Sequence, residues 1–169
     1  MSLNSRKLNL PKLFSGLLIL SLAIPLSSHA DQAKHFELNG INDTTVTLES
    51  LRGNVVYLDF WASWCGPCRV SFPWMDEMQA KYGPQGFTVL AINLDDSQQD
   101  AEEFLEDNPV QFLMAFDPDG KTPAAYGVKG MPTSFLIDRS GDIVQQHTGF
   151  NVSQKQELEQ AIAEQLENK

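Results

Sequence analysis

Only two of the 169 residues are cysteine and only three are histidine. Two cysteines exclude the multi-bridge framework that small exported domains use in place of a large core. They also exclude a four-thiolate metal site, and His29, His35 and His147 stand in no ligand spacing that would complete a mixed one. Positive charge is scarce as well, with 12 Lys and Arg against 22 Asp and Glu, a net charge of −10. A surface of that sign repels nucleic acid and anionic lipid. The aromatics are spread along the chain rather than interleaved with Lys and Arg, so no nucleic-acid partner is expected. There is no internal repeat, no low-complexity tract and no linker that would divide the chain. Nor is there an unbroken apolar run of the ~20 residues a membrane-spanning helix needs; the stretch 13–26 is interrupted by Gly16 and Pro25.

That stretch has a different meaning. Arg6, Lys7 and Lys12 flank it on the N-terminal side, and Ser28-His29-Ala30 follows it as a small-residue cleavage site. The pattern is that of an export signal spanning residues 1–30, with an uncleaved membrane anchor as the alternative. Both place the remainder outside the bacterial cytoplasm, in the periplasm. No cysteine follows the apolar stretch to carry a lipid. Without residues 1–30 there remain nine Lys and Arg against 22 Asp and Glu, net −13, in 139 residues. That length suits one domain with a proper core, residues 31–169, expected to act as a monomer.

The remaining chain alternates between two periodicities. Residues 36–40 and 45–48 alternate in polarity about a polar turn and read as an N-terminal hairpin. Residues 55–60 are nearly all apolar, as in a central strand covered on both faces. Residues 65–82 have helical spacing, with Val70, Phe72, Met75, Met78 and Tyr82 available for packing and Gly83 as the stop. A second core strand is expected at 87–94. An acidic helix follows, capped by Ser97 and running to about 108, with Phe104 and Leu105 inward. A short strand at 112–116 leads through an Asp-Pro-Asp-Gly turn to a short helix at 122–126. Residues 133–137 and 143–147 form a hairpin, and residues 153–167 an amphipathic helix carrying Leu158, Ile162 and Leu166 on one stripe. Alternating strands and helices ending in a hairpin and a helix make an α/β layered domain.

The two cysteines fall in the run Trp61-Ala62-Ser63-Trp64-Cys65-Gly66-Pro67-Cys68, between the first core strand and the first helix. Their spacing lets one helical turn bring the sulfurs together. A loop that small gains little from cross-linking the unfolded chain, so the pair reads as reactive rather than structural. At a helix N-terminus, unpaired N–H groups and the helix dipole favour a Cys65 thiolate, the attacking species in disulfide exchange. Cys68, one turn further in, is then the resolving thiol. Asp59 interrupts the apolar strand, where a carboxylate is costly unless paired or protonated. Lys81 is a candidate partner for it. The acidic residues Asp95, Asp96, Asp100, Glu102, Glu103, Glu106 and Asp107 read as a solvated helix face.

The run from Asp59 to Cys68 closely resembles the active-site sequence of thioredoxins. The order of elements over residues 35–168 is similar to the thioredoxin fold, a central mixed sheet flanked by helices. The N-terminal hairpin and the helix–strand insertion near 97–116 resemble the exported reductases of the TlpA/ResA type. The active-site motif is highly specific and the flanking elements much less so. The resemblance implies that Asp59 is the buried carboxylate serving proton transfer to and from the resolving thiol. It implies a cis bond at Met131-Pro132, opposite the dithiol, leaving the Met131 backbone to pair with an extended substrate. Pro73 matches a helix-kinking proline. Gly66-Pro67 is the dipeptide of the reducing members. Trp64, Gly66, Pro67, Met131 and Pro132 would then line the substrate groove, with Gly149 near it.

The resulting expectation is a thiol–disulfide oxidoreductase that mainly reduces protein disulfides. It needs no cofactor beyond the Cys65–Cys68 couple. Its substrates would be oxidised exported proteins, apocytochrome c among the candidates the resemblance suggests, and its electrons would come from a membrane thiol donor. A membrane is met only through the N-terminal segment. The alternatives are a disulfide oxidase or isomerase, and a non-catalytic binding or assembly module using the groove and the acidic face. The Pro-x-x-x-Thr-x-x-Cys pattern of a peroxidase is absent.

Overall fold

The computed structural model describes residues 31–41 and 44–168. The export segment, residues 1–30, lies outside the described residues.

The molecule is built outward from the strand β4, Val55–Trp61, in which every residue is buried. It pairs in parallel with β5, Phe87–Asn93, and antiparallel with β7, Thr133–Ile137. Being central, β4 must be apolar on both faces, which its sequence supplies at every position but Asp59. Parallel pairing demands a crossover, and α1, Gly66–Tyr82, provides it. A second crossover, α2 at Gln98–Asp107, joins β5 to the parallel β6, Leu113–Phe116. Because β4, β5 and β6 follow one another in the same direction across the sheet, two right-handed crossovers put α1 and α2 on the same face.

The remaining elements extend the edges. β1, Asp31–Gln32, pairs with β8, Asp142–Thr148, which is hairpinned to β7. The N-terminal hairpin of β2, Glu37–Gly40, and β3, Thr45–Thr47, docks on β6. Among the described residues the strands run β1-β8-β7-β4-β5-β6-β2-β3. A short helix α3, Lys121–Ala125, precedes β7, and α4, Lys155–Glu167, closes the chain.

Two cores follow from the strand alternation. Tyr57 and Trp61 of β4 pack with Phe72, Trp74, Met75 and Met78 of α1, Phe104 of α2, and Leu158 and Ile162 of α4. Val56, Leu58 and Phe60 face the opposite way, against Leu90, Ile92, Tyr126 and Phe135. The first core is stitched by ring contacts: Trp61 to Phe72 at 4.7 Å and Phe72 to Phe104 at 5.4 Å between centroids.

Three local expectations are corrected. α1 does end before Gly83, its C-cap, but that glycine is right-handed rather than left-handed, and the chain continues through a 3-10 turn, Gly83–Gln85. The left-handed residue is Gly86, at φ 86°, where a side chain would be strained. Val70 is 49% exposed, whereas Trp74 takes the buried place beside Tyr57 at 5.5 Å. Ser97 occupies the N-cap position of α2 without a side-chain hydrogen bond.

Candidate active site

The C-terminal end of β4 delivers the chain to the dithiol. Leu94 N–H donates to the Trp61 carbonyl at 2.9 Å, and the chain then turns through Ala62 to Trp64, Cys65 N–H donating to the Ala62 carbonyl at 3.0 Å. Cys65 has an extended backbone and is the N-cap of α1; its carbonyl accepts from the N–H groups of Cys68 and Arg69. Pro67 sits in the first turn, where no N–H is needed. Cys65 and Cys68 are joined by a disulfide with their Cα atoms 5.3 Å apart. Cys65 lies at the surface side, 5% exposed, and Cys68 is fully buried. Trp64, 70% exposed, stands beside them, and Gly66 and Pro67 are exposed.

Pro73 lies inside α1 and cannot donate to the Arg69 carbonyl. Ser71 Oγ donates to the Cys68 carbonyl at 2.8 Å.

Across the sheet, Phe60 of β4 is in register with Thr133, the first residue of β7. This brings the Met131-Pro132 loop alongside the turn that carries the cysteines. The Met131-Pro132 bond is cis. Pro132 is buried, and Met131 packs against the cluster that contains both cysteines. Gly149 donates its N–H to the Pro132 carbonyl at 2.8 Å, at a φ of 78° that only glycine adopts readily. The three segments expected to form one groove are therefore neighbours.

Asp59 lies between Tyr57 and Trp61 on the β4 face, and both of those side chains contact α1. The register of the sheet flanks it with Ala91 and Ser134. It is 2% exposed, and its Oδ2 has no hydrogen-bond partner among the described residues. Burial pushes its carboxyl well above the usual carboxylate range, so it holds a proton where an ordinary aspartate would not. Lys81 is not its partner: that ammonium binds Glu159 Oε1 at 2.5 Å, and Lys81 joins the partly buried Tyr82 and Glu159 at the far end of α1. Tyr57 receives a hydrogen bond from Ser134 Oγ at 2.7 Å; burial, and then the charge of Asp59, raise its phenol above the ordinary tyrosine value.

Asp95 was expected on the solvated acidic face and is instead 3% exposed. β5 ends at Asn93 and α2 begins at Gln98, so Asp95 belongs to the turn between them, below the dithiol loop. Its carboxylate accepts Ser63 N–H at 2.9 Å, Ser63 Oγ–H at 3.1 Å and Asn93 Nδ2 at 2.8 Å. From the other side Arg69 donates Nε and Nη2 to the Ser63 carbonyl at 3.2 and 2.9 Å, its guanidinium 5.3 Å from the Phe104 ring. Ser63 is thus fixed through both its amide and its carbonyl, two residues before Cys65. The signal available in the sequence was the pair Asn93-x-Asp95 at the carboxyl end of a core strand, where α/β sheets place functional groups. The other acidic residues of the run, from Asp96 to Asp107, are exposed as expected.

Residues 29–162 match the Redoxin family model. The thiol-disulfide oxidoreductase ResA of Bacillus thuringiensis subsp. konkukian (strain 97-27) is 32% identical over 131 residues, covering 78% of this chain and 75% of that protein. Among solved structures, a protein of Chlorobium tepidum assigned as the thiol:disulfide interchange protein DsbE is 57% identical, with a TM-score of 0.79 over 81% of this chain and 96% of that one. A protein of Bacteroides thetaiotaomicron assigned as a protein disulfide isomerase is 31% identical, with a TM-score of 0.76 over 82% and 90% of the two chains.

Proposed function

The chain belongs to the Redoxin family, and from that footing we propose that it reduces the disulfides of exported proteins. It is a thiol–disulfide oxidoreductase of the ResA and DsbE type with a thioredoxin-like fold, and its redox group is its own Cys65–Cys68 pair. The observation that carries the proposed direction is the Gly66-Pro67 dipeptide between the cysteines, which adds no charge to stabilise a thiolate. A reduced form without that stabilisation gives its electrons up readily.

In the cycle we infer, the Cys65 thiolate at the N-terminus of α1 attacks one sulfur of the substrate disulfide. A Cys65–substrate disulfide forms and the first substrate thiolate leaves. The buried Cys68 thiol then passes its proton to the Asp59 carboxylate, and its sulfur attacks Cys65 Sγ. The second substrate thiolate leaves, so the substrate gains two electrons and the protein regains the disulfide seen here. Exposed Trp64, Gly66 and Pro67, with the Met131-Pro132 loop alongside, form the docking groove. An extended substrate segment pairs with the Met131 backbone, a form of strand addition. Electrons return from a membrane thiol donor, and the export signal or anchor of residues 1–30 places the domain in the periplasm. Among the described residues no helix is long and apolar enough to cross a membrane.

A second reading is an isomerase or oxidase, and the name carried by the relative from Bacteroides thetaiotaomicron supports the isomerase. One measurement separates the two: the reduction potential of the Cys65–Cys68 couple in glutathione or dithiothreitol buffers. The reductase reading expects a value near ~−270 mV, and a value toward ~−120 mV would replace it with disulfide donation.

A further inference from the structure

Asp59 is sealed between the sheet and α1, so a proton it takes from Cys68 needs a way out. The sheet offers one. Asp59 on β4, Ser134 on β7 and His147 on β8 are in register across three adjacent strands, so their side chains share one face. Ser134 Oγ donates to Tyr57 Oη at 2.7 Å. Between that hydroxyl pair and the imidazole lies a cavity of about 10 Å³, walled by Tyr57, Ser134, Gln145 and His147 and roofed by Leu158 and Ile162 of α4. It is about the size of one water molecule, and its hydroxyls and ring nitrogen meet the polar-partner requirement for holding one. His147 Nε2 is buried without a partner among the described residues, while the residue as a whole is half-exposed.

We propose that His147 is the proton outlet of the buried dithiol, reached from Asp59 through Ser134, Tyr57 and a water molecule in this cavity. The step balances as a relay of one proton. Asp59 O–H gives its proton to Ser134 Oγ, Ser134 passes one to Tyr57 Oη, Tyr57 passes one to the water, and the water passes one to His147 Nε2. His147 then releases a proton from its other ring nitrogen to solvent or buffer. No electron moves, and rotation of the two hydroxyls resets the chain. Imidazole suits the exit because it carries a donor and an acceptor on one ring. His147 touches neither cysteine, so its role is to move a proton and not to bind substrate.

The inference rests on Asp59 serving Cys68, and the test separates the two. Reduced full-length protein is mixed with dithiobis-nitrobenzoate in a stopped-flow instrument. Attack by Cys65 releases the first nitrothiolate, and resolution by Cys68 the second. His147→Gln keeps a hydrogen-bonding side chain in the cavity but cannot relay a proton. It is expected to leave the first phase unchanged and slow the second about tenfold, with free imidazole restoring the rate. In an Asp59→Asn background the same substitution is expected to add no further slowing. Tyr57→Phe, which keeps the ring, is expected to slow the second phase in the same way. An unchanged second phase in His147→Gln overturns the outlet. So does equal slowing of both phases, or slowing that imidazole does not relieve. If the wild-type protein shows no two-phase release, or Asp59→Asn leaves the second phase unaffected, the underlying dithiol reading fails first.

Discussion

Replacing Asp59 by Asn should abolish the pH dependence of stability attributable to this one position. The carboxyl is 2% exposed, with Oδ2 unpartnered, and burial raises its folded-state pKa well above 3.8. A carboxyl raised on folding binds its proton more tightly in the native state. Its contribution is therefore fully present below the unfolded pKa and is lost as the pH rises toward the folded value. Across that window the loss is about 1.4 kcal/mol for each pH unit, because the unfolded chain has released a proton that the native one still holds. Asparagine has nearly the same shape and no such term. Guanidinium unfolding of the oxidised wild-type and Asp59→Asn proteins, from pH 4 to 9 at fixed salt, gives the difference directly, since every other group cancels. The variant should gain on the wild type by about 1.4 kcal/mol per unit until the difference levels off, and the levelling point reads the native pKa of Asp59. Parallel stability curves would refute the reasoning, because they would mean the carboxyl titrates alike in both states. A wild type that gains on the variant with rising pH would mean that Asp59 is charged and paired in the native protein.

Cys68→Ser should strand the exchange at its first stage, accumulating Cys65–substrate disulfides that mass spectrometry of a cell extract identifies; finding none would remove Cys68 from the resolving role. Asp95→Ala leaves the Ser63 amide and the Asn93 side chain without their acceptor, and should cost about 2–3 kcal/mol in denaturant unfolding. The same variant should speed hydrogen exchange at Ser63 N–H, and an unchanged exchange rate would show that the Arg69 contacts alone hold the dithiol loop.

The parts legible from the chain were those in which one residue pattern admits one environment. Residues 55–60 are apolar at every position but Asp59, as in a strand buried on both faces, and β4 is that strand. The Cys-Gly-Pro-Cys run between a core strand and a helix located the site. What sequence order misassigned were residues whose neighbours in space are not neighbours in the chain. Asp95 stands next to Asp96 and shares its charge, yet it faces inward because β5 ends two residues before it and the turn folds it under Ser63. Lys81 is a helix-borne cation on the crossover above Asp59, but it sits in the last turn of α1, where Glu159 of α4 meets it. Val70 reads as part of an apolar stripe; at the open end of α1 that direction leads to solvent beside the cysteines, and the buried arc passes through Trp74 instead. In the sequence alone His147 offers only a metal-ligand reading, which its spacing does not support. Its pairing with Ser134 follows from the hairpin register, which one bulge between Leu136 and Ile137 displaces.

The two faces of the sheet differ in how completely they are satisfied, and the difference tracks the chemistry. Among the described residues the buried side-chain atoms without a hydrogen-bond partner are Asp59 Oδ2, Trp61 Nε1, Trp74 Nε1 and His147 Nε2. All four belong to the face under α1 and α4, and the core on the opposite face, around Leu58, Phe60 and Phe135, contributes none. A buried polar atom left without any partner, water included, costs about 1–3 kcal/mol relative to a paired one. A fold under no functional demand would shed that cost by placing Leu or Phe at these positions, as the opposite core does. Its concentration on one face is what the proposed proton transfer from Cys68 through Asp59 requires of that side of the sheet. That is the side against which the disulfide rests. Both faces bury apolar side chains of β4, Tyr57 and Trp61 on one side and Val56, Leu58 and Phe60 on the other, and that burial on both sides keeps Asp59 in place in the strand that carries the dithiol.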